Sequence, residues 1–163
     1  MDTALEKNWE VYALKYAVRS DRTRKDSFIF DDHSNDNHTI DYFIWVLKSE
    51  DSIIVVDTGF DYDEAKRRNI PIERSPSEAL KFININSADV TDVIITHLHY
   101  DHAGGLSEFP KANFHLQEDE MAYATGPCMC HETIKKPFTG EHVCQMVRSL
   151  YSGRVVFLSL IHI

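Results

Sequence analysis

The sequence predicts a single mixed α/β (α+β) domain. Three observations carry that expectation. β-branched and aromatic runs at 11–18, 40–47, 53–56 and 93–95 have the composition of strands. A capped helix start at Ser75, and an apolar repeat at Val143, Met146, Val147 and Leu150, have the pattern of helices. The helix after Ser75 falls between two strands, as layered α/β architectures require. A chain of 163 residues can bury a real core.

The elements follow in order. Residues 11–18 alternate roughly and form a first strand, 20–26 are a polar loop, and Phe28-Ile29-Phe30 is a short apolar patch. Asp, Asn, Ser and His across 31–38 signal turns. Residues 40–47 form a second strand. Ser49-Glu50-Asp51-Ser52 is a hairpin turn into 53–56, giving the sheet an antiparallel start. Ser75 caps a helix, Pro76 suits its first position and Glu78 completes a capping box. Ala79, Leu80 and Ile83 give that helix one apolar face.

Further on, 114–116 is a short strand in which His115 reads as structural. Residues 118–124 start a helix with acidic residues in its first turn, ended by Gly126-Pro127. Residues 141–151 form the clearest helix, stopped at Gly153, with Cys144 expected as a small core residue. A last strand opens at 154–157.

Composition narrows the function classes. Net charge is -9, which argues against a nucleic-acid groove, because phosphate binding needs clustered Lys and Arg. No apolar run approaches the ~20 residues that span a membrane. Cys128, Cys130 and Cys144 make an odd count, and the first residues do not read as a signal peptide. A reducing, cytoplasmic setting is expected. Cys128-Met129-Cys130-His131 lacks the second ligand pair of a structural zinc site, and reads better as a loop near a substrate pocket.

The most informative stretch is Thr96-His97-Leu98-His99-Tyr100-Asp101-His102-Ala103-Gly104-Gly105. It follows a buried strand, and the paired glycines suggest a sharp turn. Imidazole and carboxylate suit Zn2+ and related divalent ions. His97 and His99, two apart on an extended segment, point the same way and can share one ion. Asp101 and His102 follow where the chain bends and can face a second. Paired metals in hydrolases sit about 3.5–4 Å apart. Asp57, ending the 53–56 strand, reads either as support for metal-bound groups or loop N–H donors, or as a turn cap before Gly59.

His97, His99, Asp101 and His102 form a His-x-His-x-Asp-His motif that resembles the metal loop of the metallo-β-lactamase superfamily. Ile54-Val55-Val56-Asp57-Thr58-Gly59 resembles the strand and turn that precede it. Within the superfamily, residues 41–45, 57–61 and 96–105 look most like the N-acyl homoserine lactone lactonases, and the likeness runs from about Val11 to Phe157. The resemblance implies the N-terminal half of an αββα sandwich and two Zn2+ ions, or other divalent metals, in an intact site. The metal ligands would be His97, His99, Asp101 and His102. The implied activity is opening of a lactone ring, with a small-molecule lactone as partner and quorum quenching as outcome. Asp101 would be the catalytic acid, passing a proton to the leaving group.

The resemblance also implies what is missing. A third His of the first metal site, a bridging Asp, a late His and a substrate tyrosine would all come after residue 157. The chain is therefore expected to be one incomplete domain over 1–163. Residues 158–163 read like translated library adapter, a non-native tail. Weak metal binding, an unpaired sheet edge and an apolar face without its partner layer would follow. The competing expectations are a hydrolase of another lactone, a thioester or a phosphotriester; a nuclease; a redox di-iron protein, against which His99 argues; and an inactive fragment.

Overall fold

Alternation along the second strand determines which way the sheet faces. The computed structural model describes residues 8–159, so 160–163 of the expected tail lie outside the described residues. Six strands run β1 (Glu10–Arg19), β2 (Ile40–Lys48), β3 (Ile53–Val56), β4 (Asp92–Ile95), β5 (Asn113–Gln117) and β6 (Val155–Leu158). They form one sheet in the order of the chain. β1, β2 and β3 pair antiparallel, and β3 to β6 run parallel. Leu158 pairs with Gln117 as the last residue of β6, so the first residue of the expected tail belongs to the sheet.

The helices are α1 (Tyr62–Arg68), α2 (Pro76–Leu80), α3 (Tyr100–Ala103), α4 (Glu118–Thr125), α5 (Glu132–Lys135) and α6 (Gly140–Tyr151). On one sheet face Tyr42, Ile44, Val46, Val55, Val93, Ile95, Phe114 and Leu116 are buried. Tyr16, Phe60, Leu80, Phe109 and Met146 complete this core. The opposite face carries Val11, Phe43, Trp45 and Val156, which stay between 39% and 60% exposed. The partnerless apolar face expected from the sequence is thus present among the described residues.

The hairpin closes as expected, with Ser49 N donating to Ser52 O at 2.8 Å. The capping box forms as well. Ser75 Oγ accepts from Glu78 N at 3.2 Å, and Glu78 Oε2 from Ser75 N at 2.7 Å. The helix after it is shorter than the apolar pattern suggests, ending at Leu80 in a 3-10 turn over Lys81–Ile83. Asn84 then closes the turn in the left-handed region, at φ 57°.

One expectation is corrected. Cys144 is exposed, because it points away from the stripe that buries His142, Met146 and Ser149. The apolar patch Phe28-Ile29-Phe30 lies on the surface, with Phe30 fully exposed. No helix among the described residues is long and apolar enough to cross a membrane.

Candidate metal centre

β3 and β4 lie side by side and parallel, so both chains leave the sheet at the same end. Asp57 N donates to Ile94 O at 2.8 Å, continuing the ladder one step past β3. Asp57 then turns into the left-handed region at φ 65°, which Asp tolerates better than most residues. That turn aims its carboxylate at the start of the histidine motif. Asp57 Oδ1 accepts from Thr96 N at 2.8 Å, and the Thr96 hydroxyl lies 2.9 Å from both carboxylate oxygens. Asp57 Oδ2 accepts from His102 Nδ1 at 2.7 Å. Asp57 thus faces both the loop N–H donors and a motif imidazole.

Thr58 clamps the far end of the motif. Its N–H and its hydroxyl both donate to His102 O, at 2.7 and 2.9 Å. The same hydroxyl accepts from Gly105 N at 3.0 Å, and Gly104 N donates to Gly59 O at 2.7 Å. The chain turns at the two glycines, as their pairing suggests in the sequence, and both are also points of close packing. Their φ angles, -83° and -111°, are ordinary. They are glycines because the 57–59 segment presses on them. A Cβ on Gly105 would lie 2.5 Å from Thr58 O, and one on Gly104 2.8 Å from Phe60 Cα.

The motif straddles a loop and one helical turn, bending between His99 and Asp101. His99 is the N-cap of α3, which carries Asp101 and His102. The structure brings the four residues together. The His97 ring lies 4.4 Å from that of His99 and 3.9 Å from that of His102, between centroids. Asp101 Oδ2 lies 3.5 Å from His102 Nε2.

Burial pushes the pKa values of His97 and His99 down, helped by the neighbouring imidazoles. Both thus favour the neutral form, which is the form that binds metal. Burial also opposes charge on His102, but hydrogen bonds to Asp101 and Asp57 outweigh it and raise that group to about 9. Burial would raise Asp101, yet its hydrogen bond to His102 holds it below the usual carboxylate range.

Contacts from distant elements hold the loop. Leu98 N donates to Glu120 Oε1 of α4 at 2.7 Å. Tyr100 N donates to Pro137 O at 2.9 Å, beside an antiparallel bridge between His99 and Phe138. Phe138 meets the His99 ring edge-on at 4.7 Å. The Arg68 guanidinium stacks 3.7 Å from the Tyr100 ring centre, and Tyr100 OH lies 3.1 Å from Tyr42 OH.

Arg68 is itself held by Glu64, a buried carboxylate of α1 that also accepts from Arg67 and, at 2.9 Å, from Thr139 Oγ1. Burial disfavours its charge, but these hydrogen bonds prevail and hold the carboxyl at about 2, against the ordinary 4.5. A depressed carboxylate stabilises the fold above its unfolded pKa, and that contribution fades as pH falls toward the folded value. Urea melts of the wild type and Glu64→Gln should therefore differ by at most about 3 kcal/mol at pH 7. The gap should close below pH 4.5. A gap unchanged between pH 7 and pH 3 would contradict the role given to the charge.

Cys128 and Cys130 sit in a 3-10 turn after α4, half-buried and exposed respectively. Among the described residues, no group of three or more His, Cys, Asp and Glu side chains could hold a metal ion as they stand. In the observed packing, both ring nitrogens of His102 face carboxylates. The donor chemistry nonetheless fits a divalent ion: three clustered imidazoles, two of them favouring the neutral form, beside an ionised carboxylate.

The family profile described as the metallo-beta-lactamase superfamily matches residues 41–135. The chain belongs to this superfamily. The match takes in β2, β3, β4 and the whole histidine motif.

Among curated members, a hydroxyacylglutathione hydrolase of Saccharophagus degradans is 28% identical over 103 residues, covering 62% of this chain and 32% of that protein. The N-acyl homoserine lactonase AttM of Azorhizobium caulinodans is 42% identical over 48 residues, covering 29% of this chain and 18% of that protein. Solved metallo-β-lactamase folds superpose over nearly the whole chain. An N-acyl homoserine lactone hydrolase, with N-hexanoyl-L-homoserine at its catalytic metal centre, gives a TM-score of 0.63 at 16% identity, covering 94% of this chain and 60% of that one. The dizinc quorum-quenching lactonase AidC gives 0.61 at 17% identity, covering 95% and 59%. The chain thus spans about 60% of these solved relatives and a third or less of the two curated ones.

Proposed function

We propose that this chain is the metal-binding portion of a zinc-dependent hydrolase that opens the lactone ring of N-acyl homoserine lactones. One observation carries the reading: His97, His99, Asp101 and His102 converge at the shared exit of two parallel strands. Likeness to lactonases in both sequence and fold supports the substrate.

His97, His99, Asp101 and His102 would hold the ions. Divalent metals bound there would supply a nucleophilic water near neutral pH and polarise the scissile carbonyl. The rest falls to the protein. Asp57 orients the His102 imidazole, and Thr58 holds the His102 backbone carbonyl. Leu98 and Phe60, both fully buried, exclude water from beneath the loop. Asp101, ionised at rest, would take the proton released by the attacking water and pass it to the departing alkoxide.

In the metal-loaded enzyme, Asp101→Asn should lower turnover about 100-fold or more while changing substrate binding little. Unchanged turnover would remove Asp101 from this role. Zinc content measured in parallel separates lost chemistry from lost metal.

A second reading, hydrolysis of a thioester, rests on the longer alignment with the hydroxyacylglutathione hydrolase. Turnover of N-hexanoyl homoserine lactone against S-lactoylglutathione decides between them. Preference for the thioester would overturn the lactone assignment and keep the hydrolase.

A further inference from the structure

The first strand breaks its own alternation at one point. Lys15 pairs with Phe43 and Ala17 with Tyr42, so Tyr16 is an extra residue without a partner across the ladder, a β-bulge. Regular alternation would put Tyr16 and Ala17 on opposite faces of the sheet. The bulge turns both into the core, where both are fully buried. It is stitched in place from outside the sheet. Tyr16 O accepts from Glu73 N at 2.9 Å and from Arg74 N at 3.3 Å, and Ala17 bridges Ile72.

A bulge can re-aim a side chain, and this one sends the Tyr16 phenol under the histidine motif. Its hydroxyl donates to Asp101 O at 3.3 Å. The ring is wedged there: it meets Phe60 edge-on at 5.1 Å, and a Cβ on Gly59 would lie 2.8 Å from Tyr16 Cζ. The carbonyl it reaches needs an outside donor. α3 is four residues long, too short to satisfy its last C=O groups internally. The N–H one turn on from Asp101 O, that of Gly105, donates to Thr58 Oγ1 instead. His102 O is taken by Thr58 in turn. The two motif residues on α3 are thus pinned by their carbonyls, His102 from the turn after β3 and Asp101 from the bulge in β1.

We infer that Tyr16 is a positioning residue, whose hydroxyl fixes the Asp101 backbone and so sets where the Asp101 carboxylate stands relative to the imidazoles. The inference rests on the hydrolase reading for what Asp101 does. The anchor itself stands on the bulge, the burial and the hydrogen bond. Without the hydroxyl, Asp101 O loses its donor and α3 is released on the side that carries the carboxylate.

Tyr16→Phe tests this, because it removes the hydroxyl and keeps the ring. In the metal-free chain, held in EDTA, the Asp101 carbonyl 13C resonance should move further than that of His102, which Thr58 holds. Zinc titration against a chelating dye then reads the site. Tyr16→Phe should weaken zinc binding about tenfold, the low end for groups that orient metal ligands. In an Asp101→Asn background the same change should cost less than about twofold, because the carboxylate it positions is already gone. Phe114→Leu, in the buried core under β5, controls for general loosening. It should lower the melting temperature at least as much as Tyr16→Phe, and leave the Asp101 resonance and zinc affinity as they are. An Asp101 resonance that moves no further than that of His102, zinc affinity within about twofold of wild type, or an equal loss in both backgrounds would each overturn the inference. Failure of the hydrolase reading looks different. Asp101→Asn would then bind zinc as the wild type does while Tyr16→Phe still moved the Asp101 resonance, and the positioning role would fall with that reading.

Discussion

Asp57→Ala should lower stability by about 4 kcal/mol and metal affinity by 10- to 100-fold. Two losses add up in the stability. The carboxylate accepts from Thr96 N and His102 Nδ1, at 2.8 and 2.7 Å, and bonds the Thr96 hydroxyl as well. Its removal leaves a partly buried N–H and a cationic imidazole without their acceptor, a cost of about 3 kcal/mol. The backbone adds to this, since Asp57 sits at φ 65°, where Ala is strained by about 1 kcal/mol. Asp57→Gly removes the carboxylate without that strain and should be the milder of the two by about that amount. For a chain of this size the Ala variant should melt about 10 °C lower. Differential scanning calorimetry and zinc titration of both variants check the pair. A melting temperature within 2 °C of wild type would show that the loop is held by something else.

Gly105→Ala should cost about 3 kcal/mol, at a position where φ is unremarkable. The obstacle is Thr58. A new Cβ would lie 2.5 Å from its carbonyl oxygen and 3.3 Å from its Cβ. Thr58 cannot retreat without releasing His102 O, which it grips twice. The variant should therefore lose stability and metal affinity together. Gly140→Ala is the built-in control, since nothing lies within 4 Å of a Cβ there and its φ is not left-handed. That change should be neutral or stabilise by a few tenths of a kcal/mol. Thermal melts of the two variants, run side by side, should separate by roughly 6–12 °C.

Much of this arrangement is legible in the residues. The aromatic and β-branched run at 40–47 marked β2, and the capping box at Ser75 marked its helix start. The histidine motif announced its own location, because it follows an apolar strand without a break. What escaped had physical reasons. α1 was missed because its inward residues are Glu64 and Ala65, and a buried carboxylate gives no apolar repeat. Its one clear signal was Asp61, whose side chain accepts from Glu64 N at 2.8 Å. Phe138 was missed because 136–139 has no period, and the His99 contact is made by a single bridge. Cys144 was misplaced because one residue on a helix turns about 100°, enough to move a side chain from core to solvent. The turn at the glycines after His102 was legible in their pairing, whereas only packing between distant segments shows them to be points of contact as well.

The sheet adds its strands in the order in which they are made. Each new strand finds its partner in the one just before it, so no earlier edge has to wait for a distant segment. Such a topology suits growth from the amino end during synthesis, with each strand templating its successor. Asp57 precedes His97 in that order, and its seat closes only when β4 brings Ile94 and Thr96 against it.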